Sequence, residues 1–129
     1  MPMNEKATIL LKKALDDMEV AKMIAASEKS LSETACYHCQ QAAEKLLKMF
    51  LAFSQVRFRY IHNLDYLLED CINVDPTFKE IRTHCSILNN YSSDMRYIDN
   101  AFISENEMRE AIELTEEVLN FVKTKIEKE

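Results

Sequence analysis

The chain contains no glycine among its 129 residues, where an average composition would supply roughly nine. Glycine is the residue that adopts positive φ angles at little steric cost, so tight hairpins are disfavoured. Glycine-dependent phosphate loops, dinucleotide fingerprints and nucleophile elbows are excluded. Prolines are also few, because only Pro2 and Pro76 occur. Long uninterrupted helices are therefore the expected architecture.

Apolar spacing and capping residues divide the chain into five predicted helices within one domain, 1–129. Their predicted bounds are Asn4 to Ser27, Ser30 to Phe53, Asn63 to Cys71, Asp75 to Asn90 and Ser104 to Ile126. The pairs Ser30–Glu33 and Ser104–Glu107 have the spacing of capping boxes. No alternation of apolar and polar residues indicates a strand. The expected fold is all-α, an antiparallel up-and-down helical bundle.

Charge limits the partners that such a chain can bind. The net charge is −6 and the isoelectric point is near 5.1, which argues against bulk DNA binding. Residues 36–62 differ, because they carry four basic side chains against Glu44 alone, a net +3. This segment is either a local anion site or a solvated helix face.

No apolar run approaches the roughly 20 residues that a membrane-spanning helix needs, and no signal peptide is recognised. We therefore expect a cytoplasmic protein with reduced cysteines and no membrane contact. Cys36 and Cys39 have a C-x2-C spacing, which Cys71, His84 and Cys85 would complete as a metal site. The same cysteines lie on apolar helix stripes, which favours core packing. We predict no metal and no cofactor.

The second predicted helix carries a polar patch. Gln41, Glu44, Lys45 and Lys48 are three or four residues apart and share one side of the helix. One interpretation is a surface ladder of ion pairs that contributes a few tenths of a kcal/mol. The other is a ligand site whose lysines contact phosphate.

Two further segments combine charge with aromatic or titratable groups. Arg57 and His62 pair a fixed cation with a proton-exchanging imidazole, which suits ribonuclease chemistry, although His62 also fits a local backbone-bonding role. Between Tyr91 and Asp99, Arg96 and Tyr97 suit phosphate binding and base stacking. Alternatively, this segment is only a connection between helices, in which Arg96 forms an ion pair with Asp94 or Asp99.

Together these segments resemble the HEPN domain family, the higher eukaryote and prokaryote nucleotide-binding domain. The resemblance rests on 39–48 (CQQAAEKLLK), on His62-Asn63-Leu64, and on 96–99 (RYID) in the same order, and it covers nearly the whole chain. It implies a helical bundle that forms homodimers. It also implies a partner, a minimal nucleotidyltransferase, in a toxin–antitoxin-like module, with a nucleotide or the partner's substrate as ligand. Carried over residue by residue, the ligand-binding positions are Glu44, Lys45, Lys48, His62, Arg96, Tyr97 and Asp99.

The sequence departs from the family pattern in two places. Ile98 stands where the family has proline, and no histidine follows Arg96. Ribonuclease members carry an R-x4-6-H motif, whose spacing here is met only by Arg57 and His62 in an earlier connection. The resemblance therefore favours a binding protein without catalytic activity, and a metal-independent ribonuclease using Arg57 and His62 is the alternative. A purely structural interaction protein is the third interpretation.

Overall fold

Helices account for nearly all regular structure in the computed structural model, which describes residues 2–92 and 102–127. The α-helices are α1 (Glu5–Ala26), α2 (Ser32–Phe53), α3 (Leu64–Val74), α4 (Arg82–Leu88) and α5 (Glu105–Glu127). Two 3-10 segments, Pro76–Ile81 and Asn89–Tyr91, flank α4. No strand occurs in these two ranges. The predicted all-α bundle is confirmed.

Side-chain caps fix several helix starts where the sequence predicted them. The Asn4 side chain accepts a hydrogen bond from the Ala7 amide at 2.9 Å, and the Asn63 side chain caps α3. Ser104 and Glu107 form a reciprocal capping box, because the Glu107 amide donates to Ser104 Oγ and the Ser104 amide donates to Glu107 Oε1. These caps satisfy amide groups that a helix leaves without an internal partner.

Two predicted boundaries are wrong. The Ser30–Glu33 pair does not start α2, which begins at Ser32 with Leu31 as its N-cap and without a side-chain cap. Residues 27–31 are needed for the turn from α1, where Leu31 donates to the Lys29 carbonyl. The predicted single helix after Asp75 is instead a 3-10 turn, the α4 helix and a second 3-10 turn.

Helices α1 and α2 form an antiparallel pair. The Asn4 side chain at the start of α1 donates to the Ala52 carbonyl near the end of α2 at 2.8 Å. Midway along the pair, Asp17 on α1 contacts both His38 and Lys45 on α2. Helix α2 also packs on α3, α4 and α5, so it is the central helix of the bundle.

The connection 54–63 returns along α2 rather than forming a short turn. His62 lies beside Gln40, which donates to the His62 carbonyl at 3.0 Å. Gln40 is about 20 Å from Phe53 along the helix axis. Helix α3 consequently starts near the middle of α2 and runs parallel to it. Seven residues further along α2, Cys71 Sγ of α3 donates to the Leu47 carbonyl.

Three aromatic rings in tilted and edge-to-face contact mark the end of the core opposite the α1–α2 turn. The Phe50 and Phe78 ring centroids are 4.3 Å apart, and those of Phe78 and Phe121 are 5.0 Å apart. His84 Nε2 lies 3.0 Å from Glu117 Oε1. These pairings show that α4 and α5 run antiparallel. No helix in the described part of the chain has the length and apolar character required to span a membrane.

Candidate functional site

Two charged residues of α2, Glu44 and Lys48, lie inside the bundle. Glu44 is 4% exposed and Lys48 is 9% exposed, and Lys48 Nζ donates to Glu44 Oε2 at 3.0 Å. The predicted i,i+4 pair exists, but the surface-ladder interpretation is wrong because the returning segment 54–63 covers this face. A buried ion pair needs further hydrogen bonds to offset the loss of water.

His62 supplies those further contacts. Its Nδ1 lies 3.1 Å from both carboxylate oxygens of Glu44. An ionised carboxylate only accepts, so Nδ1 is the donor and the proton position is set. The His62 side chain is 72% exposed, and Nε2 has no hydrogen-bond partner within 2–92 and 102–127. The arrangement presents an oriented imidazole on the surface with a carboxylate behind it.

Lys45 belongs to a second polar cluster on the α1 side of α2. Its ammonium pairs with Asp17, and Asp17 Oδ1 also lies 2.9 Å from His38 Nδ1. All three side chains are largely covered. Both lysines of the predicted phosphate-binding patch thus already have a carboxylate partner, and a phosphate would compete with Asp17 or Glu44 for them.

The two arginines of the 57–62 segment have different surroundings. Arg59 forms a bidentate pair with Asp70 at 3.0 Å and donates to the Tyr66 carbonyl. Arg57 is exposed and lines an open groove beside Phe58. No hydrogen bond or ion pair between Arg57 and His62 occurs in the described structure. The residues of the alternative ribonuclease site are therefore not joined within one protomer.

The remaining predicted ligand-binding residues, Arg96, Tyr97 and Asp99, lie outside the described residues. They stay predictions from the family resemblance.

The four cysteines are buried thiols, as the helix-stripe interpretation predicted. Burial raises the pKa of Cys36 and of Cys85 to about 12, and that of Cys39 to about 11, while the pKa of Cys71 is also raised. Thiols with such values stay protonated and are poor nucleophiles. Across the described ranges, no three metal-binding side chains gather into a site.

Sequence reasoning missed Asp17, His38 and Gln40 as parts of this polar region. His38 and Gln40 are adjacent to residues that the motifs singled out, but nothing in the sequence shows which helix faces them. Asp17 borders the apolar stripe of α1, where a carboxylate is common and usually faces solvent. Only the contact with Lys45 of α2 makes it part of the site. Contacts between distant segments, not local spacing, create these clusters.

The geometry defines an all-α bundle whose central helix carries charged side chains in its interior and an oriented histidine at its surface. The model of the HEPN domain matches residues 7–125, and the chain belongs to this family. The chain is also similar to a crystal structure of an archaeal HEPN homologue, with 26% identity and a TM-score of 0.76, over 95% of this chain and 99% of that one.

A second similar structure is that of a Thermus thermophilus protein, with 24% identity and a TM-score of 0.74. The coverage is again 95% of this chain and 99% of the other, and the likeness shows the shared fold. Among proteins of curated function, none matches the sequence.

Proposed function

We propose that this HEPN-domain chain binds a nucleotide through its phosphate groups, at the surface formed by His62 over the Glu44–Lys48 pair with Lys45 beside it. The oriented His62 carries the proposal. Its Nδ1 is occupied by Glu44, so Nε2 is the atom that faces a ligand. A protonated Nε2 donates a charge-assisted hydrogen bond to a phosphate oxygen.

The charges around His62 support this assignment. A phosphate near an isolated Glu44 would be repelled, but Lys48 lies 3.0 Å from that carboxylate and offsets its charge. Asp17 is offset by Lys45 in the same way. Each carboxylate is thus balanced by a lysine, and the two ion pairs add no net negative charge to the site.

Isothermal titration with ATP, GTP and UMP, with and without magnesium, tests the proposal. We expect His62→Gln to weaken binding about tenfold, since a hydrogen bond to a charged group contributes roughly 1.5–3 kcal/mol. His84→Gln is the matched control, because His84 also pairs with a glutamate, Glu117, but on a different face. Absence of heat with wild-type protein at millimolar ligand refutes the proposal, as does equal affinity of the His62→Gln variant.

The family resemblance supports a more specific role, which we propose as well. The chain would act in the cytoplasm as a homodimer and as the substrate-binding companion of a minimal nucleotidyltransferase in a toxin–antitoxin-like module. The gene next to that of this chain provides a direct test, followed by co-purification of the two products. A lone gene and a chain that co-purifies with no such enzyme would contradict this role but leave nucleotide binding intact.

A second candidate function is metal-independent ribonuclease activity, which the exposed and oriented His62 favours. Nε2 would accept the proton of a ribose 2′-hydroxyl as the oxygen attacks phosphorus. The P–O5′ bond then breaks and the leaving O5′ takes a proton from water, which gives a 2′,3′-cyclic phosphate and a 5′-hydroxyl. Arg57 would stabilise the phosphorane across a dimer. Incubation of labelled RNA in EDTA checks this. Cleavage that is absent from wild-type protein, or unchanged in a folded His62→Gln variant, excludes the activity.

A further inference from the structure

An open groove lies where the start of α1 meets the end of α2. Its volume is about 550 Å³, and its charged and aromatic lining residues are Glu5, Lys6, Arg57 and Phe58, so two cations face one carboxylate. We refer to it as the Lys6 groove. None of the residues assigned to the nucleotide site lines this groove.

Cations without carboxylate partners distinguish the Lys6 groove from the rest of the polar region. Lys6 Nζ lies 4.4 Å from the centre of the Phe58 ring, and within the described ranges it has no ion pair with a carboxylate. Arg57 is exposed and likewise lacks such a partner there. Lys45, Lys48 and Arg59, by contrast, are all paired with acids. The groove therefore holds the cations that an incoming anion reaches without displacing an internal carboxylate.

A series of side-chain contacts links the proposed nucleotide site to the groove. His62 contacts Glu44, Glu44 contacts Lys48, and Lys48 Nζ lies 5.6 Å from the same Phe58 ring that Lys6 covers. No step in this series is longer than 5.6 Å. The groove lies about 12 Å further along the axis of α2, because it is lined by Ala52 and His62 contacts Glu44, eight residues earlier. An extended ligand with a phosphate at His62 can therefore place a phosphate further along its chain near Lys6 and Arg57.

We infer that the Lys6 groove binds a second phosphate of the ligand, so that the protein prefers a single-stranded oligonucleotide to a mononucleotide. The inference rests on the proposed function, because it takes His62 as the first phosphate position. We take the occupant to be a phosphodiester chain rather than an acidic peptide, because such a chain extends the phosphate ligand already proposed at His62 with one charge on each link. The acidic chain as a whole then binds nucleic acid only along this local cationic path.

Fluorescence anisotropy with a labelled 2′-O-methyl uridine hexanucleotide tests the inference, because this probe resists cleavage. Binding is measured across a salt series for wild-type protein, for Lys6→Gln and for the control Lys29→Gln, which removes the same charge in the exposed α1–α2 turn. Titration with UMP follows the first phosphate position alone. The slope of log affinity against log salt falls by about 0.7 for each phosphate of a single strand that the protein no longer neutralises.

We expect Lys6→Gln to weaken hexanucleotide binding and to reduce the salt slope by about 0.7, with UMP affinity unchanged and Lys29→Gln like wild type. An unchanged slope in Lys6→Gln overturns the inference, and so does equal binding of a glutamate hexapeptide. If wild-type protein binds UMP but binds the hexanucleotide no more tightly than UMP, the inference fails while the proposed function stands. If wild-type protein binds neither ligand, both fail.

Discussion

Removing the ammonium of Lys48 tests whether the Glu44–Lys48 pair stabilises the fold. Replacement by methionine keeps the unbranched apolar stem of the side chain, one atom shorter, and removes the charge. At 3.0 Å and an effective dielectric constant near 20, the attraction between the two charges is about 5 kcal/mol before the cost of desolvation. Breaking a buried pair typically costs about 3–5 kcal/mol, because the remaining charge stays buried. His62 still contacts Glu44, so we expect a loss of about 3 kcal/mol.

Urea unfolding followed by circular dichroism measures this loss, and a melting temperature lower by about 10 °C accompanies it. The control is Lys12→Met, since Lys12 and Asp16 form an i,i+4 pair at 3.2 Å that is exposed. That variant should change the free energy of unfolding by less than about 0.5 kcal/mol. The double variant Glu44→Gln/Lys48→Met should recover most of the stability, because no buried charge is left unpaired. A Lys48→Met variant within about 1 kcal/mol of wild type, or a double variant no more stable than Lys48→Met, refutes the reasoning.

Three further predictions concern stability. Gln55, which has φ +60°, should be replaceable by glycine with a gain of about 0.5–1 kcal/mol in urea unfolding, whereas a loss would show that the side chain is needed. Ser104→Ala should cost about 1 kcal/mol by removing the α5 cap, and an unchanged unfolding midpoint would contradict that. Above pH 9 the unfolded thiols ionise while Cys36 and Cys85, with pKa values of about 12, stay protonated. Unfolding free energy should therefore fall by up to about 1.4 kcal/mol per pH unit for each such thiol, as pH-dependent urea titrations with reductant would show.

Apolar spacing and capping residues predicted the helices well, because helix formation depends mainly on residues close together in sequence. Asn63 and the Ser104–Glu107 box cap their helices as predicted, since each cap needs only a side chain and an amide a few residues away. The Ser30–Glu33 spacing predicted the wrong start of α2, because residues up to Leu31 are part of the turn that follows α1 and the helix begins only at Ser32. Spacing alone contains no information about that turn.

The candidate site was only partly predictable. The 44–48 spacing correctly predicted an ion pair, but its burial depends on the path of 54–63, which no local pattern specifies. The contact between His62 and Glu44 joins residues eighteen positions apart, and Asp17 reaches Lys45 from another helix. The spacing of Arg57 and His62 suggested a shared role, yet the structure directs Arg57 to the Lys6 groove. Spacing identifies candidate side chains, whereas the packing of distant segments decides which of them meet.

We expect the returning segment 54–63 to open separately from the helices on which it lies. This wall of the site is anchored by side-chain contacts at Arg59 and His62 and by the Gln40 bond, without the backbone ladder of a helix. Segments held in this way detach at a lower free energy than the helices that carry them. Salt screens the exposed Arg59–Asp70 pair more than it screens the buried pair beneath. The access of a ligand to Glu44 and Lys48 thus depends on ionic strength even where the fold does not.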